Sequence, residues 1–227
     1  MLKYLKQIVL ICLFALSGAS SYSQYYQIAS QLPDLIRPAL SGSMSYKGFV
    51  DASYLVGVGN RNIDFVGVST SQGFKYKDWF YMGVGIGVDV AISHTNKGFG
   101  GENNNPYWNH KYSKTAVLIP LFTDFRFNIG KLNSTAFFID AKIGASFLMG
   151  SNYLAVADGF ITNKEYFYLK PSMGVRIPIG GKNNKANNKA INVGVVYQLL
   201  TSNYWYNTPT SYNVTLSSVG ITASFEW

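Results

Sequence analysis

From Phe80 to Ser93 apolar and polar positions alternate. Phe80, Met82, Val84, Ile86, Val88, Val90 and Ile92 are apolar, whereas Tyr81, Gly83, Gly85, Gly87, Asp89, Ala91 and Ser93 are mostly small or polar. Successive side chains of a strand point to opposite faces, so a period of two held over this length predicts one extended strand with two unlike faces. A helix would mix the two sets. The same pattern predicts seven more strands, over Tyr46 to Val58, Ile63 to Tyr76, Ala116 to Ile129, Thr135 to Leu148, Tyr166 to Ile179, Ala190 to Leu200 and Val214 to Trp227. In each, residues such as Val117, Ile119 and Leu121 or Val193, Val195 and Tyr197 form one face, and glycine, serine and isolated charges form the other.

The segments between these strands alternate in length. Lys77 to Trp79, Gly130 to Ser134 and Gly180 to Lys189 are shorter than His94 to Thr115, Met149 to Glu165 and Thr201 to Asn213; Gly59 to Asn62 alone breaks the trend. Short turns at one end and long loops at the other are the layout of a bacterial transmembrane barrel, with the short turns in the periplasm. Residues 24–45 behave differently. Ile28, Leu32, Leu35, Ile36 and Leu40 suit one face of a short helix that Pro38 ends, a periplasmic lead-in or a segment folded into the barrel mouth.

Composition decides between membrane and water. Charged residues are only 13% of the chain and aromatics 16%, about half the roughly 25% charge of a soluble domain. No internal apolar run approaches the ~20 residues a membrane-spanning helix needs, whereas a spanning strand needs only about 9 to 11. At the N-terminus, Lys3 and Lys6 precede the apolar stretch Ile8 to Leu16 and the small residues Ser17 to Ser23. This is the pattern of a secretory signal peptide over residues 1–23, with cleavage expected before Gln24. Cys12, the one cysteine, falls inside that stretch, so the mature chain is expected to lack disulfides, thiolate metal sites and a cysteine nucleophile. The formal charge is +8. In a secreted, strand-rich chain without a basic cluster among aromatics, this excess gives no support to nucleic-acid binding.

A barrel closed by eight strands leaves a lumen just wide enough for side chains to fill. With the apolar face turned to lipid, Asp51, Asp89, Asp124, Asp140 and Glu226 face inward with Arg126, Lys142, Lys170 and Arg176. Buried charges persist when paired, so these nine are expected to form an ion-pair network that plugs the lumen. Phe74, Tyr76, Trp79, Phe80 and Trp227 fall at the short-turn end, where aromatics suit the headgroup level. Ala223, Phe225 and Trp227 alternate to the last residue, and this ending resembles the signal read by the outer-membrane assembly machinery, with Phe225 and Trp227 as its residues.

The segments GFVDASYLVGVG, FYMGVGIGVDV, LIPLFTDFRFN and PSMGVRIPIG resemble strand blocks of the small eight-stranded barrels of Gram-negative outer membranes, the porin-family proteins of the OmpA-transmembrane and OmpX type. The resemblance implies an all-β fold: an eight-stranded antiparallel up-and-down transmembrane barrel over residues 46–227, located in the outer membrane among lipid and lipopolysaccharide. It implies little about activity. A peptidoglycan-binding domain like that of some relatives is not expected, because the sequence ends at Trp227.

Site chemistry is sparse. Gly83, Gly85 and Gly87 lack the third glycine and the following helix of a dinucleotide loop. His94 and His110 have no metal-ligand spacing, so neither metal nor cofactor is expected. Ser93, His94 and Asp89 are the parts of a hydrolase triad, but neighbours on a strand point apart, and no enzyme is expected. The sequon asparagines Asn133 and Asn213 are read as coincidence, and the run Lys182 to Lys189 as a solvated turn. The loop aromatics Tyr107, Trp108 and Tyr112, and Tyr204, Trp205 and Tyr206, are either an outer aromatic girdle or a surface for an extracellular protein or glycan. The function expected is structural or surface-interacting, with a narrow channel and a lipid-modifying enzyme as alternatives.

Overall fold

The computed structural model describes residues 44–58, 62–77, 79–94, 99–101, 112–130, 134–150, 152–156, 159–161, 164–179, 189–205 and 211–227. The signal-peptide and lead-in segments lie outside these residues. The strands are β1 (Met44–Val58), β2 (Ile63–Tyr76), β3 (Phe80–Ser93), β4 (Phe99–Gly101), β5 (Tyr112–Ser113), β6 (Thr115–Ile129), β7 (Ala136–Leu148), β8 (Asn152–Val156), β9 (Gly159–Ile161), β10 (Glu165–Ile179), β11 (Lys189–Trp205) and β12 (Ser211–Glu226). Among the described residues there is no helix.

Eight of these strands close into one barrel in the order β1-β12-β11-β10-β7-β6-β3-β2. Each barrel strand lies antiparallel between its sequence neighbours in the wall, and β12 returns to β1 in the register Phe49 to Glu226 through Val58 to Ser217. This is the up-and-down topology that period-two patterning over eight segments demands. Closure satisfies the backbone donors and acceptors that an open sheet would leave along its edges. At the seam's end Gly48 N donates to Trp227 O (3.2 Å) and Trp227 N to Gly48 O (3.1 Å). Around the tight turn after β2, Lys77 takes the left-handed conformation at φ 49°.

The structure differs from the sequence reading between the strands. β11 runs on to Trp205 and β12 begins at Ser211, so most of the segment expected as a loop from Thr201 to Asn213 is a continued hairpin. β4, β5, β8 and β9 form a second sheet in the order β5-β4-β8-β9, linking the connection after β3 to the connection after β7. Segments of two to five residues are too short for alternation to stand out from a loop.

The two faces of the wall are sharply unlike. On β3 Met82, Val84, Ile86 and Val88 stand on the exposed outer surface, Val84 at 68% exposure, while Tyr81, Asp89, Ala91 and Ser93 are buried in the lumen. The outward apolar set recurs on every barrel strand: Val50 and Val56, Val66 and Val68, Val117 and Leu121, Phe137 and Ile139, Met173 and Ile177, Val193 and Val195, Val219 and Ile221. Glycine on the inner face makes room for longer neighbours. A Cβ on Gly67 would lie 1.9 Å from Asp89 Oδ1, and one on Gly85 2.5 Å from the Phe122 ring.

Candidate functional site

The lumen is built in layers, because inward positions on eight tilted strands stack across a narrow interior. At the turn end, Glu226 of β12 receives Arg176 Nε of β10 at 2.7 Å and lies 3.3 Å from Lys47 Nζ of β1. Lys75 of β2 adds its charge around the same carboxylate. Arg176, Lys47, Lys75 and Glu226 are all at most 3% exposed.

The middle layer is centred on Arg126 of β6. Its Nη2 donates to Asp51 Oδ1 of β1 (3.2 Å) and Asp140 Oδ2 of β7 (3.3 Å), and its Nη1 to Ser224 Oγ of β12 (3.3 Å). The guanidinium also lies over the Phe49 ring, 4.0 Å from its centroid. One side chain thus fastens four strands, including both sides of the β1–β12 seam. Lys142 Nζ sits 2.9 Å from Asp51 Oδ2 and donates to Ser69 Oγ at 3.3 Å. Ser71 Oγ donates to Asp124 and itself accepts from the Tyr81 hydroxyl. Above this layer Lys170 Nζ donates to Ser53 Oγ (2.8 Å) and lies 3.8 Å from Asp89.

The loop-end layer is mainly apolar, with Ser146, Gln198 and Ser218 buried alongside it, so hydrocarbon as well as charge fills the lumen. Leu55, Phe65, Leu118, Phe122, Leu148, Tyr168 and Leu200 point inward and pack into one buried cluster. They were missed because each strand was divided by its greasier set, and an apolar residue on the polar face reads as an exception. Past the middle of the barrel these exceptions are systematic, and they fill the mouth with hydrocarbon.

All nine residues singled out as lumen charges are buried. Lys47 and Lys75 join them, which gives five acids and six bases on the inner face among the described residues; Asp64 is also buried but has the parity of the outward Val66 and Val68. The signal for the two lysines was available: Lys47 has the parity of Asp51, and Lys75 that of Ser71. Phe225 and Trp227 stack at 6.0 Å between ring centroids, and a Cβ on Gly48 would meet the Trp227 ring at 2.5 Å, so the terminal indole occupies space that only glycine leaves. Trp79, Phe80 and Phe127 form a second aromatic group at the turn end, with centroids 5.1 to 6.0 Å apart.

The parts of a triad are not brought together. Ser93 is 2% exposed on the lumen face and Asp89 belongs with Lys170, whereas His94 stands at the loop end. The acid beside His94 is Asp64: the imidazole Nε2 lies 2.8 Å from its Oδ2, and its Oδ1 accepts from Gly57 N at 2.9 Å. The sequence reading missed this contact, since the two residues meet only through the β2–β3 register, in which Ile63 faces Ser93. Among the described residues no group of three or more histidine, cysteine or acidic side chains is placed to hold a metal. Tyr107, Trp108, Tyr206 and His110 lie outside the described residues. Tyr112 is on β5, and Tyr204 and Trp205 are on the continued β11, with Tyr204 opposite Tyr212.

No family model matches the chain, and no curated protein does. Solved structures do. The crystal structure of Neisserial surface protein A aligns with a TM-score of 0.50 at 12% identity, covering 81% of this chain and 97% of that one. The N-terminal β-barrel domain of Pseudomonas aeruginosa OprF aligns at 0.38 and 10% identity over 80% and 97%, and the outer membrane enzyme PagL at 0.44 and 15% identity over 78% and 97%. At 12% identity the first likeness is one of fold: the chain is a small eight-stranded β-barrel of the architecture found in outer-membrane proteins.

Proposed function

We propose that this chain is an outer-membrane β-barrel with a sealed lumen, acting as a structural or surface-interaction protein of a Gram-negative envelope. The observation that carries this reading is the inverted sidedness of the wall. Valine, isoleucine, leucine and phenylalanine stand exposed all around the outside, while eleven of the twelve buried charged side chains among the described residues are on the inner face. Monomeric soluble proteins rarely expose contiguous apolar patches beyond a few hundred Å², and a continuous belt has its natural solvent in hydrocarbon. Barrel strands of 13 to 17 residues exceed the roughly 9 to 11 needed to span. The N-terminal signal pattern fits export, and the Phe225–Trp227 ending fits delivery to the barrel-assembly machinery. Lipid and lipopolysaccharide are then the belt's partners.

Sealing follows from the layers. An ion would meet the Glu226 cluster at one end, Arg126 and its carboxylates in the middle, and a mainly apolar layer at the other. Such a layer resists wetting and is a barrier in its own right. The enzyme reading is weaker, since His94 has an acid beside it but the adjacent serine is turned into the lumen.

Two measurements on the refolded mature protein test the reading. On a gel, the folded and boiled forms are expected to migrate differently, as a closed barrel requires. In planar bilayers, insertion is expected without steady single-channel current; large, stable openings would make the chain a channel instead.

A further inference from the structure

The turn-end layer of the lumen holds more positive charge than its one carboxylate balances. Lys47 of β1, Lys75 of β2 and Arg176 of β10 are buried there around Glu226 of β12. Both oxygens of that carboxylate are engaged: Oε2 accepts from Arg176 Nε at 2.7 Å, and Oε1 lies 3.2 Å from Arg176 Nη2 and 3.3 Å from Lys47 Nζ. Lys75 acts on the same group through its charge. The carboxyl group of Trp227 is held in the wall, where it accepts from Gly48 N at 3.2 Å. Among the described residues, the layer lacks a second negative charge.

The rest of the lumen does not cancel this surplus. Farther from the turns, Asp51, Asp89, Asp124 and Asp140 stand with Arg126, Lys142 and Lys170, an excess of one acid. The described inner face as a whole still carries six bases to five acids. Charges buried away from water need a counter-charge close by, because the interior screens them poorly.

An independent sign comes from Asn192 of β11. Its side chain is fully buried in register between Arg176 and Ser224, and neither Nδ2 nor Oδ1 has a hydrogen-bond partner among the described residues. Buried polar groups are nearly always paired, so an amide left in this state marks a place for something bound. Arginine and lysine donate and cannot accept. With Glu226 engaged on both oxygens, the layer is rich in donors and short of acceptors.

We propose that the turn-end layer of the lumen binds one small inorganic anion, chloride or an ion of its size, among Lys47, Lys75, Arg176 and Asn192. Such an ion accepts without donating, which suits the surplus N–H groups, and its single charge brings the described inner face to neutrality. Closure sets the size: all four side chains are at most 3% exposed, so the layer is shut to large or carbon-based anions.

The test is the urea midpoint of the refolded mature protein in vesicles, titrated with sodium chloride against sodium gluconate at constant ionic strength. Only the folded barrel assembles the layer, so a bound ion raises the midpoint once its concentration passes the dissociation constant. The wild-type midpoint is expected to rise saturably with chloride and not with gluconate. Lys75→Met removes a surplus cation, and Asn192→Asp supplies the missing charge from the chain itself. Each is expected to raise the half-saturating chloride concentration about tenfold or more, and Asn192→Asp to be at least as stable as wild type without chloride. The wild-type titration and Asn192→Asp decide the matter even if Lys75→Met does not refold. A wild-type midpoint indifferent to chloride, an unchanged chloride response in the variants, or an Asn192→Asp barrel less stable than chloride-free wild type would overturn the anion site and leave the barrel reading standing. Wild-type protein that is not heat-modifiable would overturn the barrel reading itself.

Discussion

Arg126 shows why the lumen charges act as a unit. It is 1% exposed and contacts Asp51, Asp140 and Ser224 on three other strands, with its planar face against Phe49. Removing it strands the carboxylates of Asp51 and Asp140 in the buried lumen. Arg126→Ala is therefore expected to destabilise the folded barrel by about 3 to 5 kcal/mol, the cost of breaking a buried pair from one side, read as a lower urea midpoint in vesicle-reconstituted protein. At this scale charged residues could be found from parity alone, because an acid or base on the small-residue face had to point inward. The partners could not. That Arg126 reaches Asp51, and that His94 lies on Asp64, depends on strand tilt and register across a closed sheet, which a single strand's pattern does not encode.

At the scale of the strand, β3 carries the argument most clearly. Its limits of Phe80 and Ser93 coincide with the alternating run, and its outward residues are the apolar ones. Ile86 is exposed on the wall between Thr70 and Leu121. Ile86→Arg is expected to cost roughly 2 to 4 kcal/mol if that wall faces mid-bilayer. An unchanged refolding stability in vesicles would contradict that placement. Strand existence and facing were legible because period two survives wherever the two sides of a wall have different solvents. Hairpin length was not. Ser202 to Trp205 carry no apolar–polar alternation to read. The short strands β4, β5, β8 and β9 escaped notice for the related reason that two to five residues hold too few periods.

For the whole molecule, fold and sealing have different origins in the sequence. Eight alternating runs with short and long connections lead to a closed up-and-down barrel almost by counting. The loop-end seal depends on Leu55, Phe65, Leu118 and Leu200, each unremarkable in its own strand and meaningful only when the wall closes and brings them together. The central claim, a lipid-facing wall around a sealed interior, is tested most directly by aqueous thiol labelling of single-cysteine variants in vesicles, since the mature chain is expected to lack cysteine. Cysteine placed at Val84 or Val88 outside, or at Ser69 or Ala91 inside, is expected to resist a membrane-impermeant maleimide until the protein is unfolded, while cysteine at the exposed loop-end residue Met149 reacts at once. Prompt labelling at Val84 and Val88 would mean that the wall meets water, and prompt labelling at Ser69 and Ala91 that the lumen is open.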